Sequence, residues 1–372
     1  MTHVLNGRDA PASGTETLAA LAAKTADEAD RTGVLAPDVI AAFADSGIPR
    51  HFVPARWGGT DGGFTELTRT LTAVGQSCAA AAWIGSMFAY TARFATHLPV
   101  RAQEEVWADS PDTLWVPGLV PTGQSVRTEG GHRLSGRWTY VSGVEFADWA
   151  LLAGPQHGPD ASPPLFHAVP RAHFTVEHTW DAVGMRATGS HTVVLDDVEV
   201  PAHRTVPLAE VLSGFNKTSR SVQHNVPLAA VGGLTCIAPV LGAARSALSA
   251  CVATVTGKRT GAAPGGTAAL DGALARAAAE LDSAALLVER VATVLDAGES
   301  RVHAMRNARD AAYAGQLLRD AVGGLMKAAG TAAQDRGSAL QRNWRDVSIA
   351  TSHAALRLEK AASAYADSLA RG

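Results

Sequence analysis

The polar residues best suited to chemistry lie near the C-terminal end, in the run Gln341-Arg342-Asn343-Trp344-Arg345-Asp346-Val347-Ser348-Ile349-Ala350-Thr351-Ser352-His353. An imidazole with a pKa near neutrality can accept a proton at neutral pH, and a placed general base contributes typically about 10²–10⁴-fold. His353 is therefore a candidate base. The alternative is a core histidine whose ring is satisfied by neighbours such as Ser352. No carboxylate follows before Glu359. Glu280, Glu289 and Glu359 are the acidic candidates of the C-terminal half, and their helical settings read as solvated faces. Arg342, Arg345 and Asp346 read as a charge cluster that orders the last helices. His97, ahead of Leu98-Pro99, is a second histidine that could line a pocket or simply end a helix. His167, His173 and His178 lack metal-ligand spacing, so no metal site is expected. Cys78, Cys236 and Cys251 are scattered, odd in number and without a Cys-x-x-Cys pair, as expected of buried thiols in a reducing compartment.

Three tracts of different pattern must position these groups. Residues 15–110 are rich in Ala, Leu and Glu and broken at Gly33, Gly47 and Pro54, which predicts helices. The Trp57-Gly58-Gly59-Thr60-Asp61-Gly62-Gly63 loop lacks GxGxxG spacing and is expected to be a turn. Residues 112–205 read as strands. Gly130-Gly131 fits a two-residue hairpin turn, and Val194, Asp196, Val198 and Val200 alternate on a strand that ends at Pro201. Gly184 and Gly189 have P-loop spacing but no following Lys-Ser/Thr to meet phosphates. From 222 onward the chain is helical again. Leu270, Leu274, Ala277, Leu281, Ala284, Val288, Val291 and Leu295 form a near-heptad seam, which predicts close helix packing and a subunit interface. Helix, sheet, helix in that order is an α+β arrangement.

At 372 residues, with 47% hydrophobic and 18% charged side chains, the chain can bury a sizeable core. A net charge of −3 gives no reason to expect nucleic acid or an anionic membrane as partner. The first residues lack the apolar stretch of a signal peptide. The uncharged stretch from Val226 to Ala244 contains Pro227 and Pro239 and reads as a buried bundle helix, not a membrane span. A cytoplasmic protein is expected.

Four stretches in register resemble the acyl-CoA dehydrogenase-like flavoproteins and together cover most of the chain. They are Val53-Pro54-Ala55-Arg56-Trp57-Gly58-Gly59, then Gly136-Arg137-Trp138-Thr139-Tyr140-Val141-Ser142-Gly143 with Ala147-Asp148-Trp149. The third is Val183-Gly184-Met185-Arg186-Ala187-Thr188-Gly189-Ser190 through Val198-Glu199-Val200-Pro201, and the last is the C-terminal run. In the dehydrogenase branch an Arg-Asp pair is followed by a catalytic glutamate in Glu-Gly-Thr. Here Thr351-Ser352-His353-Ala354-Ala355 stands there. A histidine at that place, and Ser142-Gly143 in place of Thr-Asn, resemble the two-component flavin monooxygenases (group D) on the same scaffold.

That resemblance implies an N-terminal helical domain (1–111), a central antiparallel β-domain (112–212) and a C-terminal four-helix bundle (213–372). It implies reduced FMN or FAD as cofactor, supplied by a separate flavin reductase, since no NAD(P)H fingerprint occurs in the chain. A flavin hydroperoxide would then hydroxylate an aromatic or polycyclic molecule of specialised metabolism. By the same resemblance Ser142 holds the flavin N5, with a hydroxyl that both donates and accepts. Tyr140, taken to be on the same strand face, packs on the ring system, and Leu119 and Arg259 bind cofactor, Arg259 at the phosphates. His353 deprotonates the phenol and His97 lines the substrate pocket. A homotetramer or homodimer is expected. The alternatives are an acyl-CoA dehydrogenase or oxidase with a relocated base, N-oxygenation of an amine, and a silent bundle protein.

Overall fold

The computed structural model describes residues 13–157, 163–260 and 267–371, which run helix, sheet, helix as the sequence predicts. Glycine and proline cut the first tract into α1 (Ser13–Thr32), α2 (Pro37–Ser46), α3 (Phe64–Ser77), α4 (Ala79–Ala95) and α5 (Val100–Trp107). The glycine-rich stretch after Trp57 is a turn, as expected: Gly58 has φ 85°, and a Cβ on Gly59 would lie 2.0 Å from the Val53 carbonyl oxygen. Along α4 every residue but Met87 is buried. A helix with no polar face belongs inside, and α4 lies between sheet and bundle.

The strands form two sheets. One has the order β1 (Trp115–Gly118), β4 (Trp149–Gly154), β6 (Leu165–Pro170), β9 (Thr205–Pro207). The other runs β5 (Gln156–His157), β2 (Gln124–Arg127), β3 (Gly131–Val141), β8 (His191–Pro201), β7 (Thr175–Glu177). Pairing is antiparallel except for β1 with β4 and β2 with β5. The β2–β3 hairpin is present, one residue from its expected place: Thr128 donates to the Gly131 carbonyl, and Gly131 already belongs to β3.

Two bulges break the alternation read from the sequence. One extra residue stands in β8 at Asp197 (φ 54°) and one in β3 at Tyr140 (φ 61°). Each bulge reverses which face the following side chains take. Val194, Asp196, Val198 and Val200 therefore do not share a buried face; Val193 and Leu195 are buried on one side of the bulge and Val200 on the other. The second bulge also undoes the expected pairing of Tyr140 and Ser142 on one strand face, because β3 ends at Val141.

After α6 (Leu208–Ser213) the bundle comprises α7 (Leu228–Thr260), α8 (Ala268–Asp296), α9 (Ala304–Ala329), α10 (Ala339–Ala350) and α11 (Leu358–Arg371). By length and composition Leu228–Thr256 could cross a membrane; here α7 packs against α3, α8, α9 and α10 as the inner helix. Pro239 has no N–H for the carbonyl of Thr235, and Ser86 of α4 donates to that carbonyl at 2.6 Å. The seam of α8 is buried from Ala277 to Leu295, with Leu270 and Leu274 half-buried, and α8 packs on α9, α7 and α3. The seam is thus consumed within the chain. It is not the expected subunit interface.

Candidate active site

Ser142 sits where β3 stops. Gly143, at φ 77°, turns the chain and donates its N–H to the Thr188 carbonyl at 2.8 Å. A Cβ at 143 would press on Phe88 and Ile84 of α4 at 3.1 and 3.3 Å, so only glycine lets the turn lie this close. Ser142 is consequently wedged against α4 and 7% exposed. Trp83 donates its indole N–H to Ser142 Oγ at 3.1 Å. Ser142 Oγ lies 2.7 Å from Ser190 Oγ, which lies 2.7 Å from Thr188 Oγ1. Thr188 donates to the Met185 carbonyl at 2.8 Å.

The turn that carries Met185, Thr188 and Ser190 is anchored to α10. A Cβ on Gly184 would lie 2.4 Å from the Arg345 carbonyl, so glycine again permits the approach. Asp346 accepts the Met185 N–H, and burial pushes its carboxyl up to about 6. Arg345 holds Asp30 at 2.9 and 2.6 Å and also donates to the Val183 carbonyl. Arg342 pairs with Asp27. The Arg-Asp cluster is structural, as its sequence suggested.

His353 follows α10 and caps the next turn. Its ring stands edge-on to Trp83, centroids 5.7 Å apart and planes at 72°. Nδ1 accepts the Ala355 N–H at 3.2 Å and lies 3.4 Å from Cys236 Sγ. The residue is exposed, yet its ring is covered enough that burial lowers its pKa, with the Arg357 charge adding to the fall. Because Nδ1 accepts, the neutral ring carries its proton on Nε2. The expected general base needs a lone pair at Nε2. In this arrangement the free edge of His353 is a donor, and a base role would need the ring to turn away from Ala355 and Cys236.

The other expected residues divide. Tyr140 is 74% exposed, unusual for so large a ring, and meets Trp180 edge-on at 6.2 Å. An open aromatic face suits stacking on a flat heteroaromatic cofactor such as flavin. Leu119, just after β1, is half-buried against the smaller core. Arg259 is in the last turn of α7; its side chain lies outside the described residues. His97 is corrected. It follows the far end of α4, so at about 1.5 Å per residue roughly 20 Å separates it from Trp83. It is buried, bonds to the His224 carbonyl at 3.2 Å, and burial with the Arg93 charge pushes its pKa down to about 3. The alternative carboxylates are also elsewhere: Glu289 pairs with Arg69, Glu280 is half-buried on α8 and Glu359 is exposed.

One cluster was not legible. β7 and β8 pair antiparallel, which brings His178 to His191, Nδ1 to Nε2 at 3.3 Å, with Glu145 carboxylate oxygens 3.6 and 3.7 Å from them. These spacings resemble a metal triad. However, the Trp180 N–H donates to His191 Nδ1 at 3.1 Å, which puts the neutral ring's proton on Nε2 where a metal would need the lone pair. The three groups lie beside a pocket of about 200 Å³ that Trp180 and Arg186 also line. Trp83, Thr188, Ser190 and Cys236 are the site residues that sequence reasoning missed. Thr188 and Ser190 lay inside a quoted motif; Trp83 lay in an alanine-rich, almost wholly buried helix that gave no signal.

Residues 234–358 match the family model described as acyl-CoA dehydrogenase, C-terminal domain. Over 338 residues the chain is 31% identical to the FADH(2)-dependent resorcinol hydroxylase, oxygenase component, of Rhizobium sp., covering 84% of this chain and 82% of that protein. It is 31% identical over 346 residues to the flavin-dependent monooxygenase, oxygenase subunit HsaA, of Mycobacterium tuberculosis, covering 88% and 86%. Among solved structures, 3-HSA hydroxylase from Rhodococcus sp. RHA1 superposes with TM-score 0.88 at 26% identity, covering 94% of each chain. XiaF from Streptomyces sp., in complex with FADH2 and glycerol, superposes with TM-score 0.88 at 29% identity, covering 96% of this chain and 93% of that one.

Proposed function

Because this chain belongs to the oxygenase components of flavin-dependent monooxygenases built on the acyl-CoA dehydrogenase-like fold, we propose that it hydroxylates a small phenolic molecule between Ser142 and His353. It works with reduced FMN or FAD delivered by a separate reductase. Reduced flavin, when bound, supplies the electron pair with which O2 is activated. The chain's own residues do the rest. Ser142 meets the cofactor's N5, Trp83 holds Ser142 and His353 at a fixed separation on one wall of the site, and Tyr140 lies along the ring system. His353 presents Nε2–H to the phenolic oxygen. A hydrogen bond to the charged form favours it, so the phenol gives up its proton to solvent more readily at this site and its ring carbon becomes more nucleophilic. The observation that carries this reading is the single contact set Ser142–Trp83–His353, which joins sheet, α4 and bundle.

The test supplies chemically reduced FMN or FAD with ¹⁸O2 and a panel of phenols. One labelled oxygen in the product is the expected result. A tightly held oxidised flavin that is bleached by an acyl-CoA thioester would replace this reading with the dehydrogenase. The proposal includes a homodimer or homotetramer. A monodisperse monomer in light scattering at micromolar concentration would refute the assembly alone.

A further inference from the structure

We propose that Ser190 and Thr188 are positioning residues that hold Ser142 as a pure hydrogen-bond acceptor towards the flavin N5, so that the site selects reduced over oxidised flavin. This rests on the flavin reading of the site and adds what decides between the two redox states.

The direction of each hydrogen bond follows from its ends. The Met185 carbonyl can only accept, so Thr188, 2.8 Å away, spends its one hydroxyl proton there. Thr188 Oγ1 must then accept from Ser190 across 2.7 Å, and Ser190, its proton spent, must accept from Ser142 across 2.7 Å. At the other end the Trp83 indole can only donate, and it donates to Ser142 Oγ at 3.1 Å. With Thr188 donating to the Met185 carbonyl, every hydroxyl points away from Trp83 and all five groups are satisfied. Ser142, Ser190 and Thr188 are buried, so water does not compete for their protons. The far anchor is firm as well: the Met185 carbonyl also takes the Trp180 indole N–H at 3.0 Å, and the Met185 N–H is held by Asp346.

What remains on Ser142 is one lone pair. The N5 of reduced flavin bears a hydrogen and can donate to it. The N5 of oxidised flavin has a lone pair instead, so two acceptors would face each other. Ser142 could turn its proton to the oxidised N5 only by leaving the Ser190 oxygen without its donor in a buried place.

The relay is tested by titrating FMN and FAD anaerobically, oxidised and dithionite-reduced, into wild type, Ser190→Ala and Thr188→Val. Ser190→Ala releases the Ser142 proton for an oxidised N5. The ratio of oxidised to reduced Kd should fall about tenfold, mostly through tighter oxidised binding. The midpoint potential of bound flavin should fall with it by about 30 mV. Thr188→Val unanchors the direction and should move the ratio the same way. In a Ser142→Ala background Ser190→Ala should change nothing. An unchanged ratio in Ser190→Ala and Thr188→Val, with far-UV circular dichroism of the wild type, overturns the proposal while the flavin reading stands. Wild-type protein that binds neither redox state overturns both.

Discussion

His353 stands edge-on to Trp83, ring centroids 5.7 Å apart, while the nitrogen of the same indole reaches Ser142. One residue of α4 thus sets the position of a hydroxyl from the sheet and an imidazole from the bundle. A rigid spacer of this kind fixes the gap in which cofactor and substrate must meet, and gaps of this kind tolerate little error.

Trp83→Phe separates the two contacts, since it keeps an aromatic edge for His353 and deletes the N–H. Loss of one buried hydrogen bond should cost about 1 kcal/mol in denaturant unfolding. Ser142 loses its donor, so hydrogen peroxide release should rise at the expense of hydroxylated product. Wild-type coupling in the variant would mean that the indole N–H is not part of the site.

Cys236 is the donor that sequence reading passed over as an inert thiol. Burial pushes its pKa up to about 12, so it remains S–H beside His353 Nδ1. A donor at that lone pair favours the neutral imidazole. The charged group acting on the ring is Arg357, which also favours the neutral form. In Cys236→Ala the His353 pKa should therefore rise from its lowered value, while Cys236→Ser, which keeps a donor, should leave it low. Titration of the ring by ¹⁵N-edited NMR decides the matter; no rise in the alanine variant contradicts the assigned tautomer.

The helical tracts, the hairpin and the order of the layers were readable because they depend on local composition and period. The bundle seam was readable too, although not its use: Ala284 and Val288 pack inside the chain where a partner subunit was expected. The failures are non-local. Asp197 and Tyr140 insert single residues that reverse a strand's phase, and no short-range pattern announces them. Trp83 finds Ser142 across 59 residues of sequence. His97 carried the right chemistry at the wrong end of the right helix. His178 and His191 meet only because β7 and β8 pair.

Asp346 supplies a pH-dependent prediction. Its carboxyl is raised to about 6 in the folded state by burial, against an ordinary value of 3.8. The folded protein therefore binds more protons than the unfolded chain between these values. The cost of keeping Asp346 ionised is present in full above about pH 6 and fades as pH falls towards 4. Asp346→Asn cannot titrate and still offers an oxygen to the Met185 N–H. The stability of wild type relative to this variant should increase from pH 7 to pH 4.5, by about 2 kcal/mol. A pH-independent difference in denaturant midpoints would place the ionised carboxylate at no cost.

The last prediction separates donor from base at His353. Removing one donor that stabilises an oxyanion costs about 10²–10³-fold, so His353→Ala should slow hydroxylation by that order. Reduced-flavin affinity should stay near that of wild type, because the imidazole acts on the substrate oxygen. Rate should recover as pH passes the phenol's own pKa, where the phenolate forms unaided. His353→Asn is the discriminating variant: its amide can donate but is no useful base. A donor role predicts that Asn keeps a substantial part of the rate that Ala loses, whereas a base role predicts that both fall together. Equal loss in the two variants would restore the general base and require the ring to turn away from Ala355 and Cys236 when substrate binds. Wild-type rates in both, with activity abolished by Glu359→Gln, would remove His353 from the reaction and move the chemistry to the start of α11.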